Sequence, residues 1–178
     1  MKAMSVRKLV FSAAVAAIYA ALTVALAPIS YGEVQFRVSE ALCILPFFFP
    51  CTAWGLFAGC LIANLMSPVG ILDIVFGSLA TLLAGLCTAA VGRMGRSLVH
   101  CVLACLMPVV FNAVIVGAVL AWSATGLLFS GAGAAAFGII ALEVGFGELV
   151  VLFVIGLPLM RVLLGREFFR RMGERLGA

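Results

Sequence analysis

The chain is built from apolar runs about as long as the hydrocarbon core of a bilayer is thick, and that feature removes most folds open to 178 residues. A membrane-spanning helix needs roughly 20 apolar residues, fewer where it is buried among its neighbours. Six runs are predicted as helices: 9–27, closed by Pro28; 39–49, ending at Pro50; 52–66, before Ser67-Pro68; 72–91; 98–122, with Pro108 inside; and 137–164. The second and third are short, and they read either as two helices or as a re-entrant pair joined at Pro50. The runs do not alternate polar and apolar residues, which argues against a membrane β-barrel. The expected fold is all-α, a polytopic six-helix membrane bundle forming one domain over residues 1–178. The composition agrees: 66% of residues are hydrophobic and 10% charged, with a mean hydropathy of +1.32. A soluble domain is nearer half apolar and about a quarter charged.

The basic residues orient this bundle. Lys2, Arg7 and Lys8 precede the first run, Arg93 and Arg96 lie between the fourth and fifth, and Arg161, Arg166, Arg170, Arg171 and Arg175 sit at or beyond the end of the sixth. Ten of the eleven Lys and Arg thus fall on one side, which the positive-inside rule makes cytoplasmic, and both termini go with them. Arg37 falls on the other side. The net charge of +4 then reflects topology and contact with anionic lipid, and implies no nucleic-acid partner. The start of the chain imitates a secretory signal ending at Ala25-Leu26-Ala27, but its apolar run is long for one and Pro28 would follow the cut, so a retained helix is expected.

Catalytic and metal signatures are missing. The six cysteines form no CxxC pair and read as small packing residues, and the single histidine, His100, has no second histidine to complete a metal site. No GxxxxGK[ST], GxSxG or HExxH motif occurs. The chain is read as a non-enzyme with neither metal nor cofactor of its own.

The acids are more informative. Glu167 and Glu174 lie among the arginines of the tail, whereas Glu33, Glu40, Asp73, Glu143 and Glu148 all fall in outer loops or the outward half of the bundle. An ionisable group inside a membrane segment is costly and marks a functional site by default. With the last helix entering at Phe137, a rise of about 1.5 Å per residue puts Glu143 roughly 9 Å in and Glu148 roughly 16 Å in. Asn112, about 15 Å from Trp122 on the antiparallel helix before it, comes to a similar depth. Asn64 and Asp73 flank the loop between the third and fourth helices. Polar groups from several helices are therefore expected to converge on an outward-facing pocket. Capping remains the alternative for Asp73 and Glu40 next to helix starts, and a bond to a carbonyl freed by Pro108 the alternative for Asn112.

Loop 1 mixes an acid, an amide, aromatics and the outer arginine. Alternation over Glu33–Arg37 suggests an extended segment with Glu33, Gln35 and Arg37 on one side, fit to cover a site; pairing of Arg37 with Glu33 or Glu40 is the plainer reading. In the first helix Ala13, Ala17 and Ala21 recur every four residues, as do Ala16 and Ala20, and Gly55 and Gly59 do the same in the third. Small residues at this spacing let another helix approach closely, either within the bundle or from a separate membrane protein.

Tyr31-Gly32-Glu33-Val34-Gln35-Phe36-Arg37-Val38-Ser39-Glu40-Ala41-Leu42 resembles the signature loop of the queuosine-precursor transporter (QueT) family. Gly59-Cys60-Leu61-Ile62-Ala63-Asn64-Leu65 and Asp73-Ile74-Val75-Phe76-Gly77-Ser78-Leu79-Ala80-Thr81-Leu82 resemble its next two blocks, and Pro108–Ala113 and Glu143–Glu148 its last two. The likeness spans roughly residues 7–165. It implies a substrate-binding S-component of an energy-coupling factor (ECF) transporter in the bacterial cytoplasmic membrane. Such a subunit has six helices, an outer substrate site and a lid from loop 1. It docks through the alanine face of the first helix (Ala13, Ala16, Ala17, Ala20, Ala21) to a transmembrane coupling subunit, below which two ATPases consume the ATP.

The implied substrate is a 7-deazaguanine such as queuine, queuosine or 7-aminomethyl-7-deazaguanine. The residues suit it: a carboxylate accepts adjacent N–H donors in a fork, an amide serves the ring carbonyl, and a second carboxylate suits a cationic aminomethyl arm. The expected binding residues are Glu33, Gln35, Arg37, Glu40, Asn64, Asp73, Asn112, Glu143 and Glu148. A stand-alone small-solute carrier and a membrane-embedded enzyme are the competing classes.

Overall fold

The computed structural model describes residues 5–32, 35–126 and 131–176. These residues are helical almost throughout. Helix α1 (Val6–Ala25) starts at Ser5, whose hydroxyl accepts the Lys8 amide at 3.4 Å. Pro28 does not close it. Instead it sits in the first turn of the short helix α2 (Ala27–Ser30), where a missing N–H costs nothing. The second predicted helix is a 3-10 helix, Val38–Phe47, with Pro46 inside. At about 2.0 Å per residue its ten residues reach about 20 Å, where an α-helix would cover about 15 Å. Helix α3 is Thr52–Asn64, α4 is Ser78–Met94, α5 is Leu98–Phe111 and α6 is Gly117–Thr125, closed by Gly126 at φ +67°. Helices α7 (Gly131–Val151), α8 (Leu157–Leu164) and α9 (Glu167–Leu176) complete the order.

Three junctions are π turns that keep neighbouring segments in one continuous rod: Asp73–Gly77 leads into α4, Asn112–Val116 joins α5 to α6, and Leu152–Gly156 joins α7 to α8. Four rods are long and apolar enough to cross a membrane: Val6–Ala25, Asp73–Met94, Leu98–Thr125 and Gly131–Leu164. Val38–Phe47 and Thr52–Asn64 are shorter apolar helices. The last rod starts at Gly131, six residues before the predicted Phe137, because its small first residues extend the helix without adding hydrophobicity. Glu143 and Glu148 are then about 18 Å and 26 Å along it at 1.5 Å per residue, deeper than expected. The rod before it runs on to Thr125, which puts Asn112 about 20 Å from its end by the same reckoning, so the ends lengthen unequally and the two residues are shown to meet by their hydrogen bond, not by helix ends.

The bundle has two chemically different ends. At the basic end, Phe47, Phe48 and Phe49 pack with Cys101, Cys105, Leu152 and Met160, and Phe11 and Phe169 lie 5.2 and 6.0 Å from Phe49, ring to ring. Helix α1 lies on α3 through small residues: a side chain at Gly59 would come within 2.6 Å of the Ala16 carbonyl, and Ala16 and Ala20 are buried. Ala13, Ala17 and Ala21 remain exposed on the other side of α1. The alanines predicted as one docking face therefore divide, because consecutive residues on an α-helix point about 100° apart.

Candidate functional site

At the acidic end, polar side chains from six segments meet under loop 1. The 3-10 helix supplies Glu40, which is wholly buried and held by two donors: the Tyr19 hydroxyl of α1 bonds Oε1, and the Cys43 thiol lies 2.8 Å from Oε2. One turn further along α1, Thr23 shares a 2.6 Å bond with Ser39. Both carboxylate oxygens of Glu40 are thus occupied from within the protein.

Arg37, 4% exposed, pairs with Asp73 Oδ2 at 3.5 Å, donates to the Ser30 carbonyl at 3.3 Å and lies 5.4 Å from the centre of the Tyr31 ring. Among the described residues its ion-pair partner is not Glu40 but Asp73, an acid on the rod of α4; Glu33 lies outside the described residues. The Asn64 amide donates to the Asp73 carbonyl at 2.9 Å, which ties the end of α3 to the first π turn. Gly77, at the end of that turn, leaves room for both side chains: a Cβ there would sit 2.5 Å from Asp73 Oδ1 and 2.8 Å from Asn64 Nδ2. Asn112 opens the second π turn and donates to Glu148 Oε1 at 2.7 Å. Glu148, 3% exposed, is close enough to Glu40 and Arg37 to interact with both electrostatically. The third π turn begins four residues after Glu148. A π turn widens the helix by one residue and is found mostly at functional sites; here two of the three open on a polar residue of the cluster.

Several polar atoms in this cluster have no partner: Asn64 Oδ1, Asp73 Oδ1, Glu148 Oε2 and Ser30 Oγ. Three of the four are pure acceptors. Buried polar groups are nearly always hydrogen-bonded, so these atoms have unused capacity to accept donors.

Loop 1 separates this cluster from a pocket of about 310 Å³ nearer the surface, lined among others by Tyr31, Gln35, Ser67, Leu120 and Glu143. The backbone of Gln35 rests on α7 at Gly147, where a Cβ would come within 2.6 Å of the Gln35 carbonyl, and Phe36 meets Phe146 edge-on at 6.5 Å. Tyr31 anchors the near side by donating to the Ala63 carbonyl at 2.6 Å. Glu143 and Glu148 therefore face different surroundings: Glu143 lines the half-open pocket, and Glu148 lies beneath the loop.

Of the nine predicted binding residues, Arg37, Glu40, Asn64, Asp73, Asn112 and Glu148 come together in the buried cluster, and Gln35 and Glu143 line the outer pocket. Reading the sequence missed Tyr19, Thr23, Ser30, Ser39, Cys43 and Cys60, whose sulfur accepts from Asn64 at 3.5 Å and Thr81 at 3.3 Å. Tyr19 and Thr23 carried a usable signal, two polar residues four apart in an otherwise apolar helix. Cys43 and Cys60 carried none, since a packing thiol and a hydrogen-bonding thiol look alike in sequence. Among the described residues, no group of three or more His, Cys, Asp or Glu is placed to hold a metal ion.

An all-helical chain with four membrane-length rods and a polar cluster inside one end is a multi-pass membrane protein. Residues 9–164 match the family described as "QueT transporter", and the chain belongs to that family. It is a family of transporters, not of enzymes. The chain is similar to "Queuosine precursor transporter QueT" of Lactococcus lactis subsp. cremoris (strain MG1363), with 40% identity over 84 residues. That alignment covers 46% of this chain and 49% of the relative, so the match spans about half the length of the curated protein. No solved structure gives a significant match.

Proposed function

We propose that this protein is the substrate-binding S-component of an ECF-type importer, capturing a 7-deazaguanine (queuine, queuosine or a queuosine precursor) at the acidic end. The observation that carries this reading is the set of unpartnered buried acceptors Asn64 Oδ1, Asp73 Oδ1 and Glu148 Oε2. A guanine-like edge offers adjacent N–H donors and would satisfy such acceptors. The curated relative's name, a queuosine precursor transporter, supports the same ligand class. In this reading the chain crosses the membrane six times, with the two shorter apolar helices as full members of the bundle. The basic end and both termini face the cytoplasm, and loop 1 closes the site from outside.

The exposed row Ala13, Ala17 and Ala21 is the docking face for a transmembrane coupling subunit, with two ATPases supplying the energy. The chain itself needs no cofactor. The test is ligand identification by mass spectrometry of protein purified from its membrane, followed by titration with queuine and 7-aminomethyl-7-deazaguanine. Saturable binding of either supports the reading. If neither binds, the ligand class is wrong. Transport by the isolated chain in liposomes without ATPases would overturn the S-component assignment in favour of a stand-alone carrier.

A further inference from the structure

Among the described residues, the buried acids and bases are Arg37, Glu40, Asp73 and Glu148. Three carboxyl groups therefore share one guanidinium. Arg37 is engaged by Asp73 at 3.5 Å, and Glu40 has both oxygens bonded by Tyr19 and Cys43. The remaining acid is Glu148, with the Asn112 amide on Oε1 and nothing on Oε2. A carboxylate buried in this way needs a compensating positive charge or a proton. A proton alone would remove the charge without bringing a donor group to Oε2. A cationic donor satisfies both the charge and the missing bond.

We propose that Glu148 receives a protonated amine carried by the ligand and is the residue that selects for it, while Asn64 and Asp73 accept the N–H donors of the ring. This rests on the deazaguanine reading and deepens it: the preferred ligand carries an ammonium group, and a neutral analogue of the same shape is disfavoured. Asn112 is then a positioning residue, holding Oε1 so that Oε2 faces the ligand. Glu40 is set apart from this role because each of its oxygens already accepts a donor of the protein, and Glu143 by its place in the outer pocket.

The test compares 7-aminomethyl-7-deazaguanine with 7-hydroxymethyl-7-deazaguanine, which matches it in heavy-atom count but is neutral, by titration calorimetry on the full-length protein in nanodiscs. The parent is expected to bind the amine at least about tenfold more tightly, a difference of about 1.4 kcal/mol. Glu148→Gln is expected to lose the preference, bringing the two ligands within about threefold of each other whatever its overall affinity. Glu148→Asp, which keeps the charge, is expected to keep the preference and stands in should Glu148→Gln not fold. Equal binding of both compounds by the parent overturns the ammonium site and leaves the deazaguanine reading standing. A preference that survives in Glu148→Gln places the cation elsewhere and overturns the assignment to Glu148. Queuine and queuosine are titrated alongside, and binding of none of the four compounds removes the deazaguanine reading itself.

Discussion

At the scale of single residues, the two membrane glutamates differ. Glu148→Gln replaces an acceptor oxygen with an amide that would meet ligand donors, and a mismatched buried group costs about 1–3 kcal/mol. Roughly tenfold or greater loss of aminomethyl-deazaguanine affinity is expected, since about 1.4 kcal/mol is tenfold. Glu143→Gln, at the half-open wall of the outer pocket, is expected to cost clearly less; calorimetry on both variants measures the difference, and equal losses would place both acids on the ligand. Gly147→Ala puts a methyl against the Gln35 carbonyl, at 2.6 Å before any relaxation. Overpacking of this kind costs about 1–3 kcal/mol. Faster ligand release in stopped-flow measurements is expected, because the loop can no longer seat on α7. A release rate equal to the parent's would show that the loop does not gate the site.

Much of this cluster was legible because charge in a membrane segment is conspicuous. Asn112 and Glu148 were paired by depth alone, and they do meet, although the two helices lengthened by unequal amounts at their outer ends. What could not be read was the partner of each group. Arg37 has acids near it in sequence, yet it takes Asp73, thirty-six positions away, because the fold brings the start of the α4 rod beside loop 1.

Among the elements, α1 is the most informative. Its buried Ala16 and Ala20 meet α3, Tyr19 and Thr23 hold the 3-10 helix, and Ala13, Ala17 and Ala21 are left outside. A period of four in alanine was visible in the sequence, but not which row would be covered, since both rows have the same chemistry. The two rows separate in experiment. Ala17→Trp is expected to leave folding and ligand binding within about twofold of the parent while abolishing uptake with the coupling subunits, because indole on the exposed row blocks close helix approach. Ala16→Trp has no room beside Gly59 and is expected to lower the thermal midpoint sharply or prevent folding. If Ala17→Trp loses binding but assembles normally, the exposed row serves the fold instead of docking. The 3-10 helix was predicted as an ordinary short helix, since hydrophobic runs do not report the rise per residue.

For the whole molecule, the asymmetry of basic residues predicts the orientation proposed above. A cysteine at Arg37 would be a poor reporter, because the side chain is buried and ion-paired. Ser123 and Arg96 are exposed at opposite ends. With the half-buried Cys51 and Cys87 replaced by alanine, Ser123→Cys is expected to react with an impermeant maleimide on intact cells, and Arg96→Cys only after the membrane is opened. The reverse pattern would invert the bundle and put the acidic site on the cytoplasmic side.

The three π turns have a consequence for how such a chain can change. Each holds one residue more than a regular helix needs over the same rise, so it behaves as a single-residue insertion absorbed in place. Deleting one residue from Asn112–Val116, for instance the exposed Val114, would return that stretch to ordinary helix and leave the segments on either side in nearly the same orientation, removing only the widened turn. The rod would still be long and apolar enough to span a bilayer and α6 would keep its face against α7, while Asn112 would lose the widened turn from which it reaches Glu148. Loss or gain of a single codon can therefore open or close the ligand site while leaving the membrane topology untouched, and the geometry of recognition is free to vary by steps that insertion into the bilayer does not register.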